Sequence, residues 1–112
     1  MKADLLPLGE FEQLILLAIL RLGDAAYGVS IRQEIADHAR RTVTPGALYT
    51  TLERLESKSL IASRVGDPTP VRGGRSKRFY QVTKEGRTRL AAAQSAFQRM
   101  LNGIELIGGH HG

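Results

Sequence analysis

The spacing of apolar residues divides this chain into four helical stretches and two short strands. Phe11, Leu14, Ile15, Ala18, Ile19 and Leu22 recur at intervals of three and four, so Gly9 to Leu22 reads as an amphipathic helix. Glu10 and Glu12 stand in its first turn, where the helix dipole favours acids. Leu16, Leu17 and Leu20 lie off that stripe, so the helix is apolar over most of its circumference. It is expected to be buried on two sides, one against its own domain and one against something else. A second helix is expected from Tyr27 to Ala39, with Ile31, Ile35 and Ala39 as its inward candidates. After a short turn at positions 40–43, Thr44 is a good N-cap and Pro45 suits the first helical position. Leu48, Leu52 and Leu55 then mark a third helix to about Lys58. Two helices this close together form a helix-turn-helix.

Two β-type runs follow, Leu60 to Val65 and Lys77 to Val82. In the second, Arg78, Tyr80 and Val82 alternate with Lys77, Phe79 and Gln81. The Pro- and Gly-rich segment 66–76 between them reads as a long hairpin tip. Thr83 caps a final helix in which Leu90, Phe97 and Ile104 repeat at seven, with Leu101 among the alternate positions. Unbroken to Leu106, it spans about 36 Å at about 1.5 Å per residue, and Gly103 is the point where it frays or kinks. The tail from Gly108 to Gly112 is expected to be disordered.

The predicted fold class is therefore mainly α with a two-stranded β-wing. It comprises a winged helix-turn-helix domain over residues 1–82, a C-terminal dimerisation helix over 83–107 and a tail over 108–112. In this plan the third helix enters the major groove of double-stranded DNA and the hairpin lies along the backbone.

Length and composition narrow the picture further. A chain of 112 residues makes one domain with a modest core. Aromatics are 5 % of the residues and Trp is absent, so the core must be aliphatic and is expected to be completed by a partner subunit. The absence of Cys excludes disulfides and thiolate zinc sites and fits a cytoplasmic location. The N-terminal residues do not read as a signal peptide, and the longest apolar run, Leu14 to Leu20, is too short for a membrane span. The net charge of +5 is unevenly placed. Residues 54–89 carry 10 basic and 3 acidic side chains, against 5 basic and 7 acidic in residues 1–53. One central cationic block suits a polyanionic partner, although a solvated face has the same composition.

Three groups of residues carry the candidate chemistry. The first is the outer face of the third helix: Thr44, Pro45, Gly46, Tyr49, Thr50 and Arg54, with Glu53 among them. Small residues in the first turn permit close approach to base edges, Tyr49 and Thr50 supply hydrogen bonds, and Arg54 reaches a guanine or a phosphate. The alternative is a good helix start with Tyr49 packed on the wing. The second group is the wing: Arg72, Gly73, Gly74, Arg75 and Lys77. Its glycines allow a tight bend and its cations contact phosphates. Arg78 is set apart, since alternation places it with Tyr80 and Val82, where its stem packs while its head pairs with an acid. The alternative for this group is a soluble loop. The third group is the dimer interface: Leu16, Leu17 and Leu20 from the first helix with Leu90, Phe97, Leu101 and Ile104 from the last. The alternative is a monomer whose last helix folds back on its own domain.

Signals for an enzyme are missing: the chain has no Cys nucleophile, no Gly-x-Ser-x-Gly, no Walker loop and no Gly-x-Gly-x-x-Gly. Its three histidines, His38, His110 and His111, do not make a metal site, and no cofactor is expected.

Four stretches together resemble the PadR family of transcriptional regulators: Leu8 to Glu12, the pair Tyr27–Gly28, Gly46 to Glu56, and Arg72 to Gly86. The likeness spans roughly Leu5 to Leu106 and resembles the short-tailed members. It implies a winged helix-turn-helix, a C-terminal dimerisation helix, and binding of a homodimer to a palindromic operator as a repressor. It also implies release by a small aromatic effector, for which this chain offers few aromatic residues at the expected interface. Ser59 stands where the family usually has Gly, which costs stability if the backbone there needs a positive φ. The competing reading is a winged-helix protein-interaction module that binds no DNA, which calls for an apolar exposed patch on the third helix.

Overall fold

The computed structural model of the protein describes residues 7–66 and 77–107. Its elements run α1 (Glu10–Leu22), a 3-10 turn (Gly23–Ala25), α2 (Gly28–Ala39), α3 (Pro45–Ser57), β1 (Ile61–Val65), β2 (Arg78–Val82) and α4 (Lys84–Leu101). The wing residues Arg72, Gly73, Gly74 and Arg75 and the tail 108–112 lie outside the described residues.

Local chemistry sets the helix boundaries. The Gly9 N–H donates to Glu12 Oε1 (2.8 Å) at the start of α1. Ser30 accepts from the Tyr27 N–H (3.0 Å) and donates to the Ala25 carbonyl (2.6 Å), fixing the approach to α2. Thr44 Oγ1 accepts from Ala47 N (3.2 Å) with Pro45 in the first turn of α3, and Thr83 Oγ1 accepts from Gly86 N (3.0 Å) to begin α4. These are the orphan N–H groups of a helix start, satisfied by side chains.

The end of α3 is equally defined. Leu60 N donates to the Leu55 carbonyl (3.0 Å) and Ser59 N to the Glu56 carbonyl (2.9 Å). This paired pattern is a Schellman motif, which needs a left-handed residue at its turn. Ser59 supplies it, at φ +65°. The family's customary Gly would sit there without strain.

Helix α1 is the centre of the molecule, touching α2, α3, α4 and β2. Ile15, Leu16, Ala18 and Ile19 are buried, and they meet Ile31, Ile35, Leu48, Leu52, Leu55, Leu60, Ile61, Tyr80, Val82 and Leu90 in one core. Of its second apolar side, Leu16 is covered by its own chain. Leu16 is 0 % exposed, so its assignment to a dimer interface is corrected. Leu20 is half-buried against the core and Leu17 stays exposed. Leu90, at 5 %, is likewise corrected, because it is the side chain that docks α4 on its own domain. Ala39 is exposed rather than inward, leaving Ile31 and Ile35 as the buried stripe of α2.

The strands pair antiparallel with Ile61 opposite Val82 and Val65 opposite Arg78. Tyr80 and Val82 point into the core, as the alternation requires. The sheet extends beyond two strands in one place. Tyr27 bridges to Phe79, and the Tyr80 N–H donates to the Ala26 carbonyl (2.9 Å), tying the segment before α2 to β2. The Tyr27 and Phe79 rings meet edge to face at 5.6 Å.

Helix α4 is shorter than the heptad spacing suggests. It ends at Leu101, with Asn102 as C-cap and Gly103 at φ +84°. Its 18 residues span about 27 Å. Ile104 therefore follows the helix instead of continuing its stripe, and residues 102–107 are not part of a dimerisation helix.

Candidate nucleic-acid interface

The outer face of α3 follows from what its inner face buries. Leu48, Thr51, Leu52 and Leu55 turn inward, and Thr51 satisfies its hydroxyl on the Ala47 carbonyl (2.9 Å). Thr44, Pro45, Gly46, Tyr49, Thr50, Glu53 and Arg54 are left exposed. Gly46, Tyr49, Thr50 and Glu53 line a cleft of about 480 Å³ that also receives Glu56 from α3 and Arg78 and Tyr80 from β2. The outer face of α3 and the root of the wing thus form opposite walls of one groove.

Tyr49 is 49 % exposed. Its ring does not pack on the wing alone: the phenol lies against Gly28, where any Cβ would collide with the hydroxyl and Cζ. This explains the Tyr27–Gly28 pair, since only glycine lets α2 pass under the Tyr49 ring. Arg54 sits round the helix toward α1, where its charge helps hold the Glu12 carboxylate ionised. It flanks that outer face and does not line the cleft.

The cations of the wing root divide between the two faces of the sheet. Lys77 places its ammonium 4.2 Å from the centre of the Tyr27 ring, and Arg64 lies 4.9 Å from the centre of Phe79. Arg78 lies on the opposite face, as the alternation predicts. Its Nη1 donates to Ser63 Oγ (3.0 Å), and Ser63 Oγ donates to Glu56 Oε2 (2.8 Å). The acid expected for the Arg78 head is thus reached through a serine hydroxyl. Nothing in the sequence spacing gives the register that places Ser63 between them; it follows from the pairing of Ser63 with Tyr80.

Further contacts brace both ends of α3. Arg41 stacks over Phe11 (5.4 Å) and pairs with Glu10 (3.2 Å), and Arg32 Nε donates to the Val43 carbonyl (2.8 Å), so the turn before α3 is braced from α1 and α2. At the other end of α3, Lys58 pairs with the buried Glu12 (3.1 Å). Burial would raise the Glu12 pKa, but the Gly9 N–H and the Lys58 ammonium outweigh it and hold the carboxyl below the ordinary glutamate range. The sequence marks Glu12 only as a first-turn acid. Its role in fixing α3 to α1 comes from a residue 46 positions away.

Among the described residues no group of three or more His, Cys, Asp or Glu is placed to hold a metal ion, and no helix is long and apolar enough to cross a membrane. His38 is exposed and shares Glu34 with Arg21, at 3.2 and 2.6 Å from the carboxylate oxygen.

Three helices, a hairpin on the third helix's flank and a polar outer face on that helix define a winged helix-turn-helix regulator. The model of the Transcriptional regulator PadR-like family matches residues 16–92. The chain belongs to this family. It is 38 % identical over 85 residues to Transcriptional regulator Rv3488 of Mycobacterium tuberculosis, covering 74 % of this chain and 71 % of that protein. Among solved structures it resembles a PadR family transcription regulator from Clostridium difficile (27 % identity, TM-score 0.64, 82 % of this chain and 95 % of that one). It also resembles one from Eggerthella lenta (26 % identity, TM-score 0.66, 85 % and 82 %). The family and these relatives are transcriptional regulators, not enzymes.

Proposed function

We propose that the protein is a sequence-specific repressor that binds an inverted-repeat operator in double-stranded DNA as a homodimer in the cytoplasm. The observation that carries the reading is the small, polar, solvent-open face of α3 set beside a cationic wing root. The first turn of α3 offers Thr44, Pro45 and Gly46 to the floor of a major groove, with Tyr49 and Thr50 as hydrogen-bonding groups. Lys77, together with Arg72, Gly73, Gly74 and Arg75 of the wing, meets the flanking phosphates. Arg54 contacts the opposite flank. The protein-interaction reading calls for an apolar patch on α3, whereas the exposed face carries Gly46, Thr50 and Glu53 around a single ring, Tyr49.

The dimer rests on the far end of α4. Phe97 is 66 % and Met100 76 % exposed, Leu101 is half-buried, and Ile104 is exposed just beyond the helix. With Leu17 and Leu20 on α1, they form the apolar surface that a second copy covers. Two-fold pairing presents two copies of α3 to one face of DNA, which is the geometry a palindrome requires. Relief by a small aromatic effector is the remaining element of the reading, with the exposed Phe97 ring as the stacking surface.

The test is fluorescence anisotropy with the DNA upstream of the protein's own gene, across a salt series and against scrambled duplex. Tight, salt-sensitive binding with preference for the upstream fragment is expected, with affinity falling by a log–log slope of about 0.9 per phosphate contact. Absence of binding at low salt overturns the reading in favour of a protein-interaction module.

A further inference from the structure

A chain of hydrogen bonds through Ser63 links two residues that line the α3–wing cleft, Glu56 and Arg78. It joins the recognition helix, β1 and β2 through three side chains, at 2.8 and 3.0 Å. The alternation of β2 sends Arg78 to the same side as the buried Tyr80 and Val82, so its stem runs over the edge of the core toward α3. Ser63 then holds one guanidinium nitrogen, and the rest of the planar head faces a cleft walled by Gly46, Tyr49, Thr50 and Glu53.

The position of this cleft gives Arg78 a task. When a recognition helix occupies a major groove and the wing lies on the adjoining backbone, one phosphodiester strand must pass between them. That strand runs along the cleft. Glu53 and Glu56 would repel it, and Arg78 is the one cation among the residues that line the cleft. An arginine left free would also be drawn directly to the nearer carboxylates. Ser63 prevents this by taking the Glu56 oxygen as acceptor while accepting from Arg78 itself, which keeps the guanidinium between the walls.

We propose that Arg78 contacts the phosphate strand passing between the recognition helix and the wing, and that Ser63 and Glu56 are positioning residues that hold its guanidinium there. This rests on the DNA-binding reading above and adds to it a contact from the strand itself, inside the cleft rather than at the wing tip.

The experiment uses the full chain and a duplex selected by the wild-type protein from a random-sequence pool. Failure of the wild-type protein to enrich any sequence defeats the DNA-binding reading, and this inference with it. Once a site is in hand, affinities are measured over a salt series for wild type, Ser63→Ala, Ser63→Thr, Arg78→Gln and the double variant Ser63→Ala/Arg78→Gln. Arg78→Gln keeps the stem and removes the charge, so it is expected to weaken binding and lower the salt slope by about 0.9. Ser63→Ala keeps every charge and is expected to weaken binding by about threefold to tenfold, the worth of one hydrogen bond. Ser63→Thr restores the hydroxyl and the affinity. The double variant binds no more weakly than Arg78→Gln alone, because Ser63 acts through Arg78. A fully additive double variant overturns the positioning role. Unchanged affinity in Ser63→Ala overturns it as well, and tighter binding shows that Glu56 and Ser63 sequester Arg78 from DNA. An unchanged slope in Arg78→Gln removes the phosphate contact. Melting curves of each variant separate loss of contact from loss of fold.

Discussion

Replacing Ser59 by glycine is expected to stabilise the protein. Ser59 is the residue after the α3 cap and holds φ +65°, a conformation in which an L side chain crowds its own backbone. That crowding costs about 1–2 kcal/mol. Glycine removes it but has more freedom to lose on folding, which takes back about 0.4–1 kcal/mol. The Ser59 side chain is exposed, so truncation gives up no core packing. The balance is a gain of about 0–1.6 kcal/mol, centred near about 0.8 kcal/mol, which is about 3–6 °C in melting temperature for a domain of this size. Urea titration at fixed protomer concentration reads it as a higher midpoint with an unchanged m-value. Ser59→Val should move the midpoint the other way, because a β-branched residue tolerates positive φ least. A lower midpoint for Ser59→Gly would refute the left-handed turn and the Schellman closure built on it.

Three further outcomes follow from the packing. Glu12→Gln should destabilise by about 1.5–3 kcal/mol at neutral pH, the range for hydrogen bonds to a charged group. Because the folded state holds the Glu12 carboxyl below its ordinary range, this stabilisation is complete above the ordinary glutamate pKa and fades as pH falls through the lowered value. The urea midpoints of variant and wild type should therefore converge in acid, and a constant gap would exclude the ionised pair as the cause. Gly86→Ala drives a methyl group into the Leu60 carbonyl and to 2.8 Å from Val82 Cγ1, so a loss of about 1–3 kcal/mol is expected by calorimetry. Phe97→Glu, on an exposed ring, should give folded monomers by sedimentation, and a folded dimer would remove that part of α4 from the interface.

The residues that announced the fold are those with strong local rules. Thr44–Pro45 and Thr83 fixed two helix starts within a residue, and the alternation around Tyr80 gave the inward side of the second strand. Ser59 stands out only through the resemblance, which implies a Gly at that turn, and the structure gives it φ +65°. The failures share one cause. Leu16 and Leu90 look like surplus apolar residues along their own helices, and only the arrangement of all four helices shows that one chain covers both. Ile104 fits a seven-residue stripe, but Gly103 ends the helix before the stripe reaches it. Within the site, Tyr49, Thr50 and Gly46 could be placed on one face by spacing alone. The Ser63 link, the seat of Tyr49 on Gly28 and the Glu12–Lys58 pair could not, since each joins residues whose proximity depends on tertiary packing.

For the proposed regulator, the bridge from Tyr27 to Phe79 would shape how operators diverge. It fastens the start of α2 to the wing, and Glu56 fastens α3 to the same sheet, so each head is a stiff reading unit. Little adjustment between its helix and its wing is available when it docks. In the proposed dimer, the separation of the two heads would then be set by the apolar surface at the end of α4 and on α1. On that reading, register changes there would retune the distance between half-sites while each half-site keeps its sequence, so spacing and letter preference would evolve as separate traits.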